Sequence, residues 1–312
     1  MLANGAERKI IRKSHRGACG IFPDHTIASY QRAIQDGADF VELFNDKKAT
    51  YNIDGTNTTG IFSFDLTLAE IKQLRAIQPL AFRNQAFNGM YQVLTLEEYL
   101  DVIQGANRTV GIYPETKHPS FHDSLGLQCF GNGTFTDAVL EVLESRGYTG
   151  PYNSQAWLQN PVFIQSFERK NLMDLKSKTS IPLIQLMDEW DLPVPYDSVT
   201  YGDLATPDGL KEIATYAKGI GPWKGSYVVV NASNYIESID ADFVENAHAA
   251  GLQLHPYTFR NEQSYLAWDY ETDINKEYDL HFSELGIDGA FTDYAGTLHR
   301  YLHGKLYQKP TS

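Results

Sequence analysis

Residues 14–42 read SHRGACGIFPDHTIASYQRAIQDGADFVE, and how this stretch is parsed decides the fold. It opens on a polar strand end, passes through Pro23 and Thr26 into the amphipathic pattern HTIASYQRAIQDG, and stops at Gly37 before the apolar run DFVELF. Pro and Thr are helix-entry residues and glycine favours helix C-termini, so the stretch reads as strand, helix, strand.

The same unit recurs along the chain. Candidate strands are 9–11 running into SHRG, then 39–44, 109–117, 161–167, 181–187, 217–223, 252–259 and 288–294, which makes eight. Helical patterns lie between them: LTLEEYLDVIQGA, FTDAVLEVLESRG, RKNLMDLKSK, DGLKEIATYA, SIDADFVENAHAAG, SYLAWDYETDINKEYDLHFSELG and TLHRYLHGK. Gly105, Gly147, Gly251 and Gly286 close several of them. A strand–helix unit repeated eight times with short connections predicts an α/β fold, a parallel eight-stranded (β/α)8 TIM barrel. Residues 45–94 break the alternation and read as an insertion after strand 2. No linker divides the chain, so residues 1–312 are expected to form a single barrel domain.

Composition agrees with a globular enzyme, at 42% hydrophobic and 12% aromatic. A net charge of −13 argues against a nucleic-acid partner or an anionic membrane surface, so an anionic ligand needs local positive groups. No stretch approaches the ~20 apolar residues of a membrane span, and the first fifteen residues lack an apolar leader core, so no transmembrane segment or secretory signal is expected. Cys19 and Cys129 are read as free thiols in loops of the catalytic face that could pair only in an oxidising compartment. The sequence leaves the oligomeric state open.

In a barrel of this kind the working groups lie at the C-terminal strand ends. Polar residues collect there: His15 and Arg16 on strand 1, Glu42 on strand 2, Glu115 and Lys117 on strand 3, Gln165 on strand 4, His255, Tyr257 and Arg260 on strand 7, and Asp293 on strand 8. Glu115 and Lys117 are two apart and point the same way. Glu42 and Glu115, from neighbouring strands, would seat a hard divalent cation, Ca2+ or Mg2+. Arg16 and Lys117 would hold a phosphate, and Gln165 and Tyr257 would line the substrate. A cation, two bases and a histidine at one point predict phosphoester chemistry.

These residues carry a family resemblance. SHRGACGIFPDHTIASYQRAIQDGADFVE is similar to the opening of the glycerophosphodiester phosphodiesterases, and TLAEIKQLRA, GIYPETKHPSFH, FIQSFE, GLQLHPYTFRNE and GIDGAFTDYAGTLHRYL resemble later segments of that family in its order. The resemblance implies hydrolysis of a small-molecule glycerophosphodiester to glycerol 3-phosphate and an alcohol, on a (β/α)8 barrel with one divalent metal. It also implies that His15 is one of two acid/base histidines and that Arg16 holds the phosphate. Histidine suits proton transfer in both directions near neutrality, and cationic groups neutralise the phosphoryl oxygens.

Two departures stand out. The family's strand 2 ends E-x-D, whereas Phe44 follows Glu42 at the same-facing position, and the 24 residues between Glu42 and Thr67 contain no histidine to serve as the second proton carrier. Asp46, His118 or His122 are the available substitutes. The alternative expectation is a catalytically inactive barrel that binds a phosphodiester or a protein partner. Lys13, which alternation points inward with His15, implies either that the regular part of strand 1 begins late, the simpler account, or that the lysine pairs with an inward carboxylate.

Overall fold

The computed structural model describes residues 13–14, 40–41, 49–126 and 133–306. His15, Arg16, Glu42, Phe44, Asp46 and both cysteines lie outside them. The chain divides into two compact units, Met1–Thr95 and Leu96–Ser312.

In the first unit, β1 (Lys13–Ser14) and β2 (Phe40–Val41) pair in parallel, with Lys13 opposite Phe40. The stretch expected as an insertion holds an antiparallel hairpin, β3 (Ala49–Ile53) with β4 (Thr56–Gly60). Asp54 and Gly55 form its two-residue turn with φ of 50° and 87°, the left-handed pair that an Asp-Gly hairpin turn demands. Tyr51 packs edge-on against Phe62 and Phe64, and its hydroxyl donates to Asp65 at 2.7 Å, tying the hairpin to the segment that follows. Thr67 then caps Leu68–Ile71 in a reciprocal capping box with Glu70.

The second unit carries the longer parallel array. β5 (Ile164–Ser166), β6 (Leu183–Met187), β7 (Gly219–Pro222) and β10 (Gln253–Leu254) form one sheet in the order β10-β7-β6-β5. Strand 3 joins strand 4 through parallel bridges from Ile112 to Val162, just before β5, and from Glu115 to Gln165 within it, with Thr116 N–H donating to Gln165 O at 2.9 Å. The stretch was expected as a strand over 109–117, but Pro114 has no N–H to give, and the ladder is reduced to these bridges. Beyond β10, Tyr257 bridges Trp223, and Phe259 bridges Thr292 on strand 8. Six staves thus follow one another in sequence order, each parallel to the last. That is the succession an α/β barrel requires.

Fully buried residues explain the array. β5 and β6 are buried at every position, as strands covered on both faces must be. Helices Phe135–Ser145, Arg169–Lys178, Pro207–Tyr216 and Ala241–Ala249 return between the strands and contribute Leu143, Leu172, Leu175, Ile213 and Val244 to the same core as Ile164, Leu183 and Ile220. Gly147, Gly251 and Gly286 follow helical runs with φ of 79°, 81° and 80°, the conformation that ends a helix cheaply only in glycine.

One expectation needs correction, and one element was not foreseen. The segment 264–286, read as one helical pattern, is broken: short 3-10 turns lead to left-handed Glu271 and Thr272, and the helix proper spans only Ile274–Tyr278 before widening into a π turn over Asp279–Glu284. The run VVVNASNYIESI forms a second hairpin, β8 (Val228–Val230) with β9 (Ile236–Ile239), inserted between strand 6 and its helix.

Candidate active site

The open ends of strands 3, 4, 5, 7 and 8 line a cavity of about 260 Å3. Glu115, Lys117, Gln165 and Tyr257 line it together with Phe167, Leu186, Thr258 and Phe291. Four of the seven residues that the sequence gives a catalytic, metal-binding or substrate role therefore meet at one place. The other three, His15, Arg16 and Glu42, fall outside the described residues.

Alternation along parallel strands builds the cavity in layers. Tyr113, Phe163, His255 and Phe291 pack edge to face one layer below, with ring centroids 4.9 to 6.0 Å apart in the pairs Tyr113–Phe291, Phe163–His255 and Tyr113–His255. Two residues further on, strands 3, 4 and 7 present Glu115, Gln165 and Tyr257. His255 belongs to the lower layer. Its Nδ1 is 2.7 Å from the Tyr113 hydroxyl, and burial lowers its pKa, against a weaker opposing pull from Asp288. It is a neutral core histidine.

Glu115 and Lys117 share the cavity, with Nζ 3.3 Å from Oε1. The lysine is 61% exposed and the carboxylate 26%, so this is a screened pair that the lysine can leave to meet an anion. Glu115 Oε1 and Gln165 Oε1 are buried and accept no hydrogen bond. Gln165 is held from its other end, its amide donating to Tyr113 O at 3.4 Å. Tyr257 is fixed in the same way: its hydroxyl donates to Met187 O at 3.0 Å, and burial, then the charge of Asp188, raises its pKa, so it stays protonated.

Strand 3 is anchored from behind. Buried Thr116, between Glu115 and Lys117, donates to Asn171 Oδ1 at 2.8 Å, and Asn171 in turn donates to Thr136 at 2.6 Å. Ser166 donates to Thr116 O at 3.1 Å. The carboxylate of buried Glu168 accepts from the Ser120 N–H at 3.2 Å and from its hydroxyl, fixing the loop that leaves strand 3.

The substitute histidines lie elsewhere. His118, with φ of 51°, starts the helix Pro119–Ser124, and His122 stacks on Phe135 at 4.7 Å with its pKa lowered by burial and by His118. Neither lines the cavity. Arg260 is paired with Asp293 at 2.8 Å and lies over Tyr265. Sequence reasoning missed Phe167, although its two-residue offset from Gln165 puts it on the same face.

Among the described residues no three His, Cys, Asp or Glu side chains are grouped to hold a metal. The donor set that is present suits a hard cation: Gln165 Oε1 has no hydrogen bond and Glu115 Oε1 only the Lys117 ammonium, and oxygen ligands are what Ca2+ and Mg2+ select.

The model of the glycerophosphoryl diester phosphodiesterase family matches residues 15–297. The chain belongs to that family. A glycerophosphodiester phosphodiesterase of Arabidopsis thaliana, GDPD6, is 37% identical over 317 residues, covering 92% of this chain and 84% of the relative. A glycerophosphodiester phosphodiesterase of Haemophilus influenzae is 26% identical over 342 residues, covering 93% and 89%. A solved structure of a putative glycerophosphoryl diester phosphodiesterase from Silicibacter pomeroyi superposes with a TM-score of 0.54 at 21% identity, covering 96% of this chain and 95% of that one. At that identity the likeness speaks to fold alone, and the fold is the α/β TIM barrel of the glycerophosphoryl diester phosphodiesterases.

Proposed function

We propose that this chain hydrolyses glycerophosphodiesters to glycerol 3-phosphate and an alcohol, with a divalent cation, on one barrel domain in which residues 45–94 are an insertion. The observation that carries the proposal is the convergence of Glu115, Lys117, Gln165 and Tyr257 on one cavity at strand ends, in a chain that belongs to a phosphodiesterase family.

Each group has a role its surroundings support. Glu115, with Glu42, would hold Ca2+ or Mg2+, and the bound cation supplies positive charge against the phosphoryl oxygens. Lys117, exposed and only loosely held, and Arg16 would grip the phosphate. His15 would carry the proton, since the attacking hydroxyl must lose one and the leaving alkoxide gain one. Gln165 would orient a substrate oxygen. Tyr257, its hydroxyl committed to Met187 O, contributes a fixed wall.

A second reading has one observation in its favour. Phe44 stands where the family pattern has a second strand-2 carboxylate, and no histidine lies between Glu42 and Thr67. A barrel that binds phosphodiesters without turning them over would follow. One experiment separates the two: purified protein is mixed with glycerophosphocholine and Ca2+ or Mg2+, and both glycerol 3-phosphate and calorimetric heat are followed. Product that disappears in His15→Ala supports hydrolysis; binding heat without product at high protein concentration supports the second reading.

A further inference from the structure

The helix Ala295–Leu306 carries two histidines for which the hydrolytic reading has no use. His299 and His303 are one turn apart and both exposed, and their rings lie against each other with centroids 4.0 Å apart and planes at 58°. The helix beneath them is firmly held. Tyr301 is buried, packs on Tyr278 and Phe282 at 5.1 and 6.2 Å, and donates its hydroxyl to Asp279 at 2.8 Å. Leu298 packs against the same core. With 298 and 301 turned inward, helical periodicity leaves 299 and 303 on the outer face.

Two imidazoles at i and i+4 on one helical face make a bidentate seat for a metal ion, the arrangement that zinc-binding H-E-x-x-H helices use. A cation bound at about 2.0–2.1 Å to one nitrogen of each ring requires the rings to be neighbours, as these are. There is also room for it. Helical side chains lean toward the N-terminus, so the pair overhangs the preceding turn, where the chain has only the exposed Ala295 and Gly296. Past the pair, a side chain at Gly304 would begin in open space. Water can therefore complete the coordination sphere.

The donor set narrows the class of ion. The helix contains no acid, and its nearest charge is Arg300, which donates to the Thr297 hydroxyl at 3.2 Å. A cation held by charge alone would be repelled here. Ca2+ and Mg2+ select oxygen ligands and have none to gain, whereas imidazole suits Zn2+, Ni2+ and Cu2+. We propose that His299 and His303 form a transition-metal site, for an ion such as Zn2+, Ni2+ or Cu2+, separate from the hard-cation site at Glu115. The bound ion links two consecutive turns of the helix. Nothing in the proposal depends on turnover of a diester.

The test is calorimetric titration of the intact, untagged chain with Ni2+ alone, for the wild type, His299→Ala and His303→Ala. Both positions are exposed, so the variants should fold. The wild type should bind Ni2+, and each substitution should weaken binding by at least about tenfold, since changes to groups that only support a ligand already cost about 10–100-fold. Excess Ca2+ should leave the Ni2+ affinity unchanged. With Cu2+ as a second probe, electron paramagnetic resonance should show coupling to two imidazole nitrogens in the wild type and to fewer in either variant. The thermal midpoint should rise with Ni2+ in the wild type alone, because an ion that prefers the folded helix stabilises it. No Ni2+ binding, equal affinity in all three proteins, which would put the ion on other histidines, or displacement by Ca2+ overturns the assignment.

Discussion

Glu115 and Gln165 face each other across strands 3 and 4 as bridge partners; Gln165 Oε1 is buried and accepts no hydrogen bond, and Glu115 Oε1, also buried, has only the Lys117 ammonium, 3.3 Å away. Such atoms lower stability unless something else meets them. Their position at the open end of a parallel barrel, beside an exposed lysine held only by a screened ion pair, makes a bound cation and a phosphate the natural partners.

Ca2+ should therefore stabilise the chain through Glu115. A ligand that binds only the folded state at a hundred times its Kd adds about 2.7 kcal/mol. The thermal midpoint of the wild type should rise with Ca2+ and fall back with chelator, whereas Glu115→Gln should show no Ca2+ response while folding as well as the wild type. An equal rise in both proteins would remove Glu115 from the cation site.

The network behind strand 3 makes a separate prediction. Asn171→Leu strips buried Thr116 and Thr136 of their shared partner, leaving the Thr116 hydroxyl only its long bond to Gln165 O at 3.4 Å, and the loss should cost about 1–3 kcal/mol. Turnover per folded molecule should drop too, because Thr116 sets the rotation of strand 3 between Glu115 and Lys117. Urea denaturation gives the first quantity and active-site-normalised kinetics the second.

Sheet packing can be probed at Gly219. A Cβ there would lie 2.6 Å from the Gln253 carbonyl oxygen and 3.0 Å from Ile184 Cδ1, forcing β7 away from β10. Gly219→Ala should lower stability by about 1–3 kcal/mol, the usual cost of overpacking. A neutral effect in urea titration would mean that the two strands are not held this closely.

Acid should destabilise the fold through its buried histidines. Burial lowers His281 to about 3, helped by Lys224, and it also lowers His255. Unfolded histidine titrates near ~6.5. Below that pH the unfolded chain takes up protons that the folded chain refuses, so this stability is complete above ~6.5 and lost as pH falls, at about 1.4 kcal/mol per unit for each histidine. Glu277, whose carboxyl burial raises, works in the opposite sense, so the telling quantity is a difference. Between pH 7.5 and 5.5 the urea midpoint should fall more steeply in the wild type than in His281→Gln. Equal slopes would contradict the assignment.

Much of the barrel was legible because a buried parallel strand writes itself as a short apolar run: IPLIQLM and PVFIQSF contain β6 and β5, and two-residue spacing put Glu115 and Lys117, and the Gln165 and Tyr257 ends, on the inward face. The hairpin β3–β4 was signalled by Asp54-Gly55 but overlooked, because its exposed threonines and asparagines carry no apolar pattern. The break at Glu271 and Thr272 was hidden by helix-forming residues on both sides, and left-handed backbone at two non-glycine positions is set by tertiary context rather than propensity. The Glu277–His281 pair was beyond sequence reasoning. An i, i+4 acid and histidine look like a solvated helix face until burial shows otherwise.

The most direct test of the account is the glycerol 3-phosphate released from glycerophosphocholine by the wild type beside Glu115→Gln, in Ca2+ and in chelator. The account predicts release by the wild type that chelator abolishes and that Glu115→Gln lowers by about 100-fold or more, the loss expected when a group stabilising transition-state charge is removed. Equal release by both proteins, or release indifferent to chelator, would contradict it.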